Sequence, residues 1–172
     1  KLCEMVLNLP GYEDLFFYLQ NHDVSFVFEV VDPEFDPHII EYKRRHLFLL
    51  DIIYNDTEFK KVPFDEVCNI ADELKLEHKS FVTALNNWNE FMSFYNEISA
   101  EDYKYNGNYI EGFVFEDANK FMFKFKTPYY KEWKFLRGVM QSVQKRGYIA
   151  KTSCLVTPTE NYFYGWLREK YN

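Results

Sequence analysis

Two short apolar segments, Tyr109–Glu116 and Phe121–Lys126, restrict this chain more than any other feature. Both alternate with a period of two, so each is expected to be a strand. In the first, Tyr109, Glu111, Phe113 and Phe115 share a face. In the second, Met122, Lys124 and Lys126 share one face and Phe121, Phe123 and Phe125 the other. Asp117-Ala118-Asn119 between them is turn-forming sequence, so a hairpin is expected. If Glu116 lies beside Phe121, Glu111 faces Lys126 and Lys124 faces Phe113. One carboxylate and two ammonium groups then share a patch of sheet. That set suits a metal ion beside a phosphate. Taken alone, the hairpin suits a cross-strand salt bridge better; such a pair contributes only about 0.2–1 kcal/mol.

A second segment, Val24–Val31, reads as a central strand with little polar surface. Glu29 sits in its middle. A carboxylate buried there needs a cation, a hydroxyl or a metal as partner; on a solvated face it needs none. Asp32–Tyr42 comes next as a loop punctuated by Pro33 and Pro37 and leading into a short strand. Leu47–Tyr54 is apolar and bounded by charged residues, as expected of a buried strand.

Taken in order, these segments resemble the adenylyltransferase domain of ATP-dependent RNA ligases, especially the phage-type enzymes that repair broken tRNA. Phe26-Val27-Phe28-Glu29-Val30-Val31, with Pro33 and Ile39-Ile40-Glu41-Tyr42, resembles the third nucleotidyltransferase motif and its trailing hairpin. Leu47–Ile53 resembles the strand of the next motif. Glu111-Gly112-Phe113-Val114 is similar to the fourth and Lys124-Phe125-Lys126-Thr127 to the fifth. Tyr129–Arg137 resembles the segment C-terminal to the fifth motif in that group. The resemblance spans residues 24–137. It implies ATP and Mg²⁺ as cofactors and RNA, including broken tRNA, as substrate. It implies sealing of a 5′-phosphate to a 3′-hydroxyl through lysyl-AMP and RNA-adenylate intermediates. Glu29 and Glu111 would act on the ribose hydroxyls of ATP, with Glu111 also on the metal; Lys124 and Lys126 would contact the α-phosphate. Phe48 and Leu50 would lie at the adenine. Fixed ammonium groups suit that chemistry, because attack on phosphorus builds negative charge on its oxygens.

Two departures from the family pattern are visible. The nucleophilic lysine of these enzymes lies in Lys-x-Asp-Gly, which residues 1–172 do not contain. Lys104-Tyr105-Asn106-Gly107 echoes it, but lies just before Glu111 and reads as a turn. Residues 1–172 are therefore expected to be a partial adenylyltransferase domain truncated at its N-terminus. Second, relatives place an aromatic where Leu50 stands. Phe48, two residues earlier, is expected on the same face. A DNA ligase, a capping-type nucleotidyltransferase, an inactive nucleotide- or RNA-binding module, and an acidic interaction domain are the alternatives.

Of the 172 residues 47% are hydrophobic, enough for one sizeable core. No run of apolar residues is long enough to span a membrane. Cys3, Cys68 and Cys154 are far apart and odd in number, which points to a reducing compartment, the cytoplasm. His22, His38, His46 and His78 show no ligand spacing. The net charge of −7 argues against a general nucleic-acid binder. Its distribution argues the other way: Lys120–Lys151 holds nine basic residues and one acidic residue, Glu132.

Helices are expected at Tyr12–Asn21, Pro63–Leu74, from a cap at Ser80 to about Ile98, and at 129–146, the last ending at Gly147. Thr157-Pro158-Thr159-Glu160 is a capping box opening a final helix to about Lys170. Phe81, Leu85, Trp88, Phe91, Met92 and Tyr95 recur at helical spacing and are expected in the core. The fold class is α+β, with a mainly antiparallel sheet and inserted helices.

Overall fold

A computed structural model describes residues 2–35, 38–147 and 157–171. The chain forms two compact units, Lys1–Ala84 and Leu85–Asn172. Its small antiparallel sheets and helices give the expected α+β class.

The first unit holds α1 (Leu2–Leu7), α2 (Tyr12–Asn21), β1 (Val24–Val31), β2 (His46–Tyr54), β3 (Lys60–Lys61) and α3 (Phe64–Glu73), with sheet order β1-β2-β3. α3 forms as its periodicity requires: Val67, Ile70 and Ala71 are buried, and Leu74 just beyond it also joins the core. They pack with Leu49 and Ile52 of β2, both fully buried, and with Leu15 of α2. The β1–β2 register breaks between Val27, which pairs with Asp51, and Phe28, which pairs with Leu49. Leu50 is therefore the extra residue of a β-bulge. Residues 77–79 run along β2: the Leu49 amide donates to the Glu77 carbonyl (2.7 Å) and the Lys79 amide to the Leu49 carbonyl (3.1 Å). Among the described residues no strand forms between the Asp32–Tyr42 loop and β2, where a short one is expected; Ile39–Tyr42 are irregular, and Asp36 and Pro37 lie outside the described residues.

The second unit holds α4 (Trp88–Ile98), β4 (Gly112–Glu116), β5 (Met122–Lys126), α5 (Pro128–Arg146) and α6 (Pro158–Tyr171). α4 starts seven residues later than expected, with its cap at Asn87 in place of Ser80. Asn87 caps it, accepting from the amides of Asn89 and Glu90, and the Glu90 carboxylate reaches back to the Asn86 amide (2.8 Å). Phe81 and Leu85 are thus outside the helix, and Phe81 and Trp88 are exposed. Phe91, Phe94 and Tyr95 meet Phe113, Phe115, Phe123 and Phe125 edge to face, with ring centroids 5.1 to 6.1 Å apart. α5 ends on Gly147 in the left-handed region (φ 75°), as expected. Thr157 and Glu160 form the capping box of α6. Tyr164 and Leu167 of α6 pack on Val143 of α5. Asn106 and Gly107, with φ of 49° and 78°, make the turn read at Lys104–Gly107.

Candidate functional site

The hairpin forms, but one residue out of the expected register. Lys126 lies opposite Gly112 and Lys124 opposite Val114, while Phe113 pairs with Phe125 and Phe115 with Phe123. The loop explains the shift. Asp117 still pairs with Phe121, and its carboxylate accepts from the amides of Asn119 (2.8 Å) and Phe121 (2.9 Å). Three residues remain in the loop, the last being Lys120 at φ 67°. A one-residue slip exchanges the faces, so the four phenylalanines share the side packed on α4. Lys124, Lys126, Val114 and Glu116 take the other side.

Strict alternation would then separate Glu111 from Lys126. Gly112 restores them to one place. Its φ of 155° turns the chain as it enters β4, in a region L side chains rarely adopt. The Lys126 ammonium donates to the Glu111 carboxylate, and both side chains are about a third exposed (32% and 30%). The Lys126 ammonium also lies 5.0 Å from the centroid of the Tyr130 ring. Lys124 is exposed, and no carboxylate among the described residues pairs with it.

Thr127 fixes this corner. It is buried; its amide donates to the Glu111 carbonyl (3.0 Å) and its hydroxyl to the Ile110 carbonyl (2.8 Å). The same oxygen accepts from the Tyr130 amide, capping α5. Tyr109 stacks on Tyr129 at 3.8 Å, with the Lys104 ammonium 4.6 Å from the Tyr109 ring. Burial and, less strongly, neighbouring Tyr109 raise the pKa of the Tyr129 phenol.

Glu29 belongs to the first unit. It is half-buried on β1, directly across from Phe48. The partner expected for a buried carboxylate is not among the described side chains. Partial exposure explains this, because water can reach the group. The bulge changes the reading of β2. Alternation puts Phe48 and Leu50 on one face, whereas Leu50 has no partner on β1 and Asp51 takes the face of Phe48 and Glu29. Asp51 is buried. Its carboxylate accepts from the ammonium groups of Lys61 (2.9 Å) and Lys79 (3.3 Å). Sequence reasoning missed this cluster. The signal was present: an aspartate inside an apolar run raises the same demand for a partner as Glu29.

Among the described residues no group of three or more His, Cys, Asp or Glu is placed to hold a metal ion. Glu111 is a single carboxylate beside an ammonium. It fits Mg²⁺ only as one ligand among waters and substrate phosphates, the usual manner for that ion.

A family model described as RNA ligase matches residues 7–130, which includes β1, β2, the whole hairpin and the first residues of α5. The chain belongs to the RNA ligase family. It is similar to the tRNA ligase of Candida albicans, 32% identical over 65% of this chain and 15% of that protein. It is also similar to tRNA ligase 1 of Schizosaccharomyces pombe, 26% identical over 79% of this chain and 19% of that protein. The chain thus spans less than a fifth of the length of these curated relatives. No helix among the described residues is long and apolar enough to cross a membrane.

Proposed function

We propose that residues 1–172 are the nucleotide-binding part of an ATP-dependent RNA ligase, of nucleotidyltransferase fold type, acting in the cytoplasm. The observation that carries the reading is the hairpin: Lys126 held by Glu111, with Lys124 exposed on the same face, inside the segment matched by the RNA ligase family. The full reaction joins an RNA 5′-phosphate to a 3′-hydroxyl after AMP is transferred to a lysine and then to the RNA. The names of the relatives favour broken tRNA as substrate. Residues 1–172 contain no Lys-x-Asp-Gly, so on this reading the adenylylated lysine lies outside them.

The roles follow from charge and geometry. Lys124 and Lys126 present two ammonium groups on one face, where they stabilise the charge that grows on the oxygens of the α-phosphate. Lysine suits this as a compact point charge. Glu111 orients Lys126 in the free protein and offers a ligand for Mg²⁺ when nucleotide phosphates supply the others. The metal's contribution is to neutralise phosphate charge. Glu29 presents acceptors for the ribose hydroxyls, and Phe48, directly opposite it, an aromatic face for adenine. Leu50, in the bulge, contributes apolar surface.

Lys126→Ala in the complete parent protein tests this. The Glu111–Lys126 pair is partly exposed and contributes about 0–1 kcal/mol to stability. Loss of a group that stabilises developing charge costs about 10²–10³ in rate. The expected result is a melting temperature within a few degrees of wild type and sealing of broken RNA reduced at least a hundredfold. Near-normal sealing would return the pair to an ordinary salt bridge.

A further inference from the structure

We infer that the exposed side of α5 is a docking track for a single RNA strand, beginning at Lys126 and running along the helix through Tyr130 to Lys134. It rests on the ligase reading of the hairpin and adds the path of the polynucleotide. The Tyr130 ring has the Lys126 ammonium at 5.0 Å and the Lys134 ammonium at 5.7 Å from its centroid. One ring thereby ties a hairpin cation to a helix cation one turn along α5. Lys131, exposed beside them, sits 5.0 Å from the Phe125 ring. Trp133, three residues on from Tyr130, is 39% exposed, with its ring centroid 6.1 Å from that of Tyr129.

The buried stripe of α5, with Leu136 and Val143, is used in packing, but Lys131, Trp133 and Lys134 are not on it. The acidic residue within this stretch, Glu132, accepts a hydrogen bond from the Thr157 hydroxyl (2.6 Å) near the start of α6. The outward remainder is ammonium groups interleaved with an aromatic face. In a chain of net charge −7 this is a local reversal of sign. Single-stranded nucleic acids are held by that combination, cations tracking the backbone and aromatic rings taking bases. The occupant is therefore an RNA strand with bases, not merely a polyanion. The helix beyond Tyr130 lies outside the segment that the family model matches.

Fluorescence anisotropy with a labelled, 5′-phosphorylated single-stranded 12-mer RNA, from 25 to 200 mM KCl, tests the track. Each phosphate contact contributes about 0.7 to the slope of log K against log salt for a single strand. Lys134→Ala, at an exposed position, is expected to lower that slope by about 0.7 and to weaken binding about fivefold to tenfold at 50 mM salt. Lys134→Arg should retain the slope. Trp133→Ala is expected to weaken binding about tenfold with the slope unchanged, the signature of lost stacking. Lys145→Ala, on the last turn of α5, should change neither. An unchanged slope in Lys134→Ala overturns the inference, as does wild-type binding without salt dependence. Heparin bound as tightly as RNA, with no effect of Trp133→Ala, overturns the commitment to RNA. None of these outcomes touches the ligase reading, which stands or falls on sealing by Lys126→Ala.

Discussion

Gly112→Ala should break the corner of the hairpin that brings Glu111 to Lys126. A Cβ on Gly112 would stand 1.8 Å from the Phe125 carbonyl oxygen, 2.8 Å from its carbon and 2.9 Å from the Lys126 Cα. All three are backbone atoms of β5, so no side chain can swing aside. The φ of 155° adds about 1–3 kcal/mol for any residue with a Cβ. Relief requires β5 to move off β4, loosening ladder hydrogen bonds with a net value of about 0.5–1.5 kcal/mol each. The total is about 3–5 kcal/mol, a large part of the about 5–15 kcal/mol that holds a domain folded. At about 2–4 °C per kcal/mol, a thermal melt should show a drop of at least about 6 °C. Gly138→Ala is the control. It lies within α5 with no atom within 4 Å of the added Cβ, and should be neutral or stabilising by up to about 1 kcal/mol. A Gly112→Ala chain melting within about 2 °C of wild type would refute the reasoning, because it would mean that β5 is not held where the collision occurs.

Two further predictions concern groups away from the hairpin. Asp51→Asn leaves the Lys61 and Lys79 ammonium groups beside a neutral amide in a site where the Lys61 and Asp51 side chains are only 8% and 11% exposed, and should cost about 3–5 kcal/mol in a urea titration of the chain; a cost below about 1 kcal/mol would show that water reaches the cluster freely. Glu90 has a lowered pKa, first through the Asn86 amide and then through the Asn86 and Asn87 side chains, so its contribution to holding the start of α4 is fully present above the ordinary glutamate value and is lost as pH falls through the lowered one. The Asn86 amide resonance should therefore titrate with a midpoint below that of an ordinary glutamate, and in Glu90→Gln this titration should disappear; a midpoint at or above the ordinary value would contradict the cap geometry.

Much of this fold is written locally, and the features that depend on distant packing are the ones the sequence misplaces. α2 and α3 follow from apolar spacing, and α6 from a capping box that acts within a few residues. The hairpin strands are legible from alternation and the Asp117 turn. Their register is not, because a loop of three residues differs from the expected pairing by a single position, and the choice is made by packing four phenylalanines against α4. The start of α4 is obscured by apolar spacing that continues back through Leu85 to Phe81, while the Asn86–Glu90 bonds decide where the helix begins. At the candidate site, Glu111 and Lys126 pair as expected although the expected register is wrong, since the turn at Gly112 offsets the slip. The bulge at Leu50 has no local signature, and it moves Asp51 rather than Leu50 onto the face of Glu29 and Phe48.

The central claim is that the hairpin carrying Glu111, Lys124 and Lys126 holds the phosphates of a nucleotide. Isothermal titration of the chain with ATP and Mg²⁺, in wild type, Glu29→Ala and Lys126→Ala, tests it most directly. The account predicts one nucleotide bound per chain and an affinity at least tenfold weaker in each variant. Wild-type affinity in Lys126→Ala would contradict it, and wild-type affinity in Glu29→Ala would overturn the role proposed for that carboxylate.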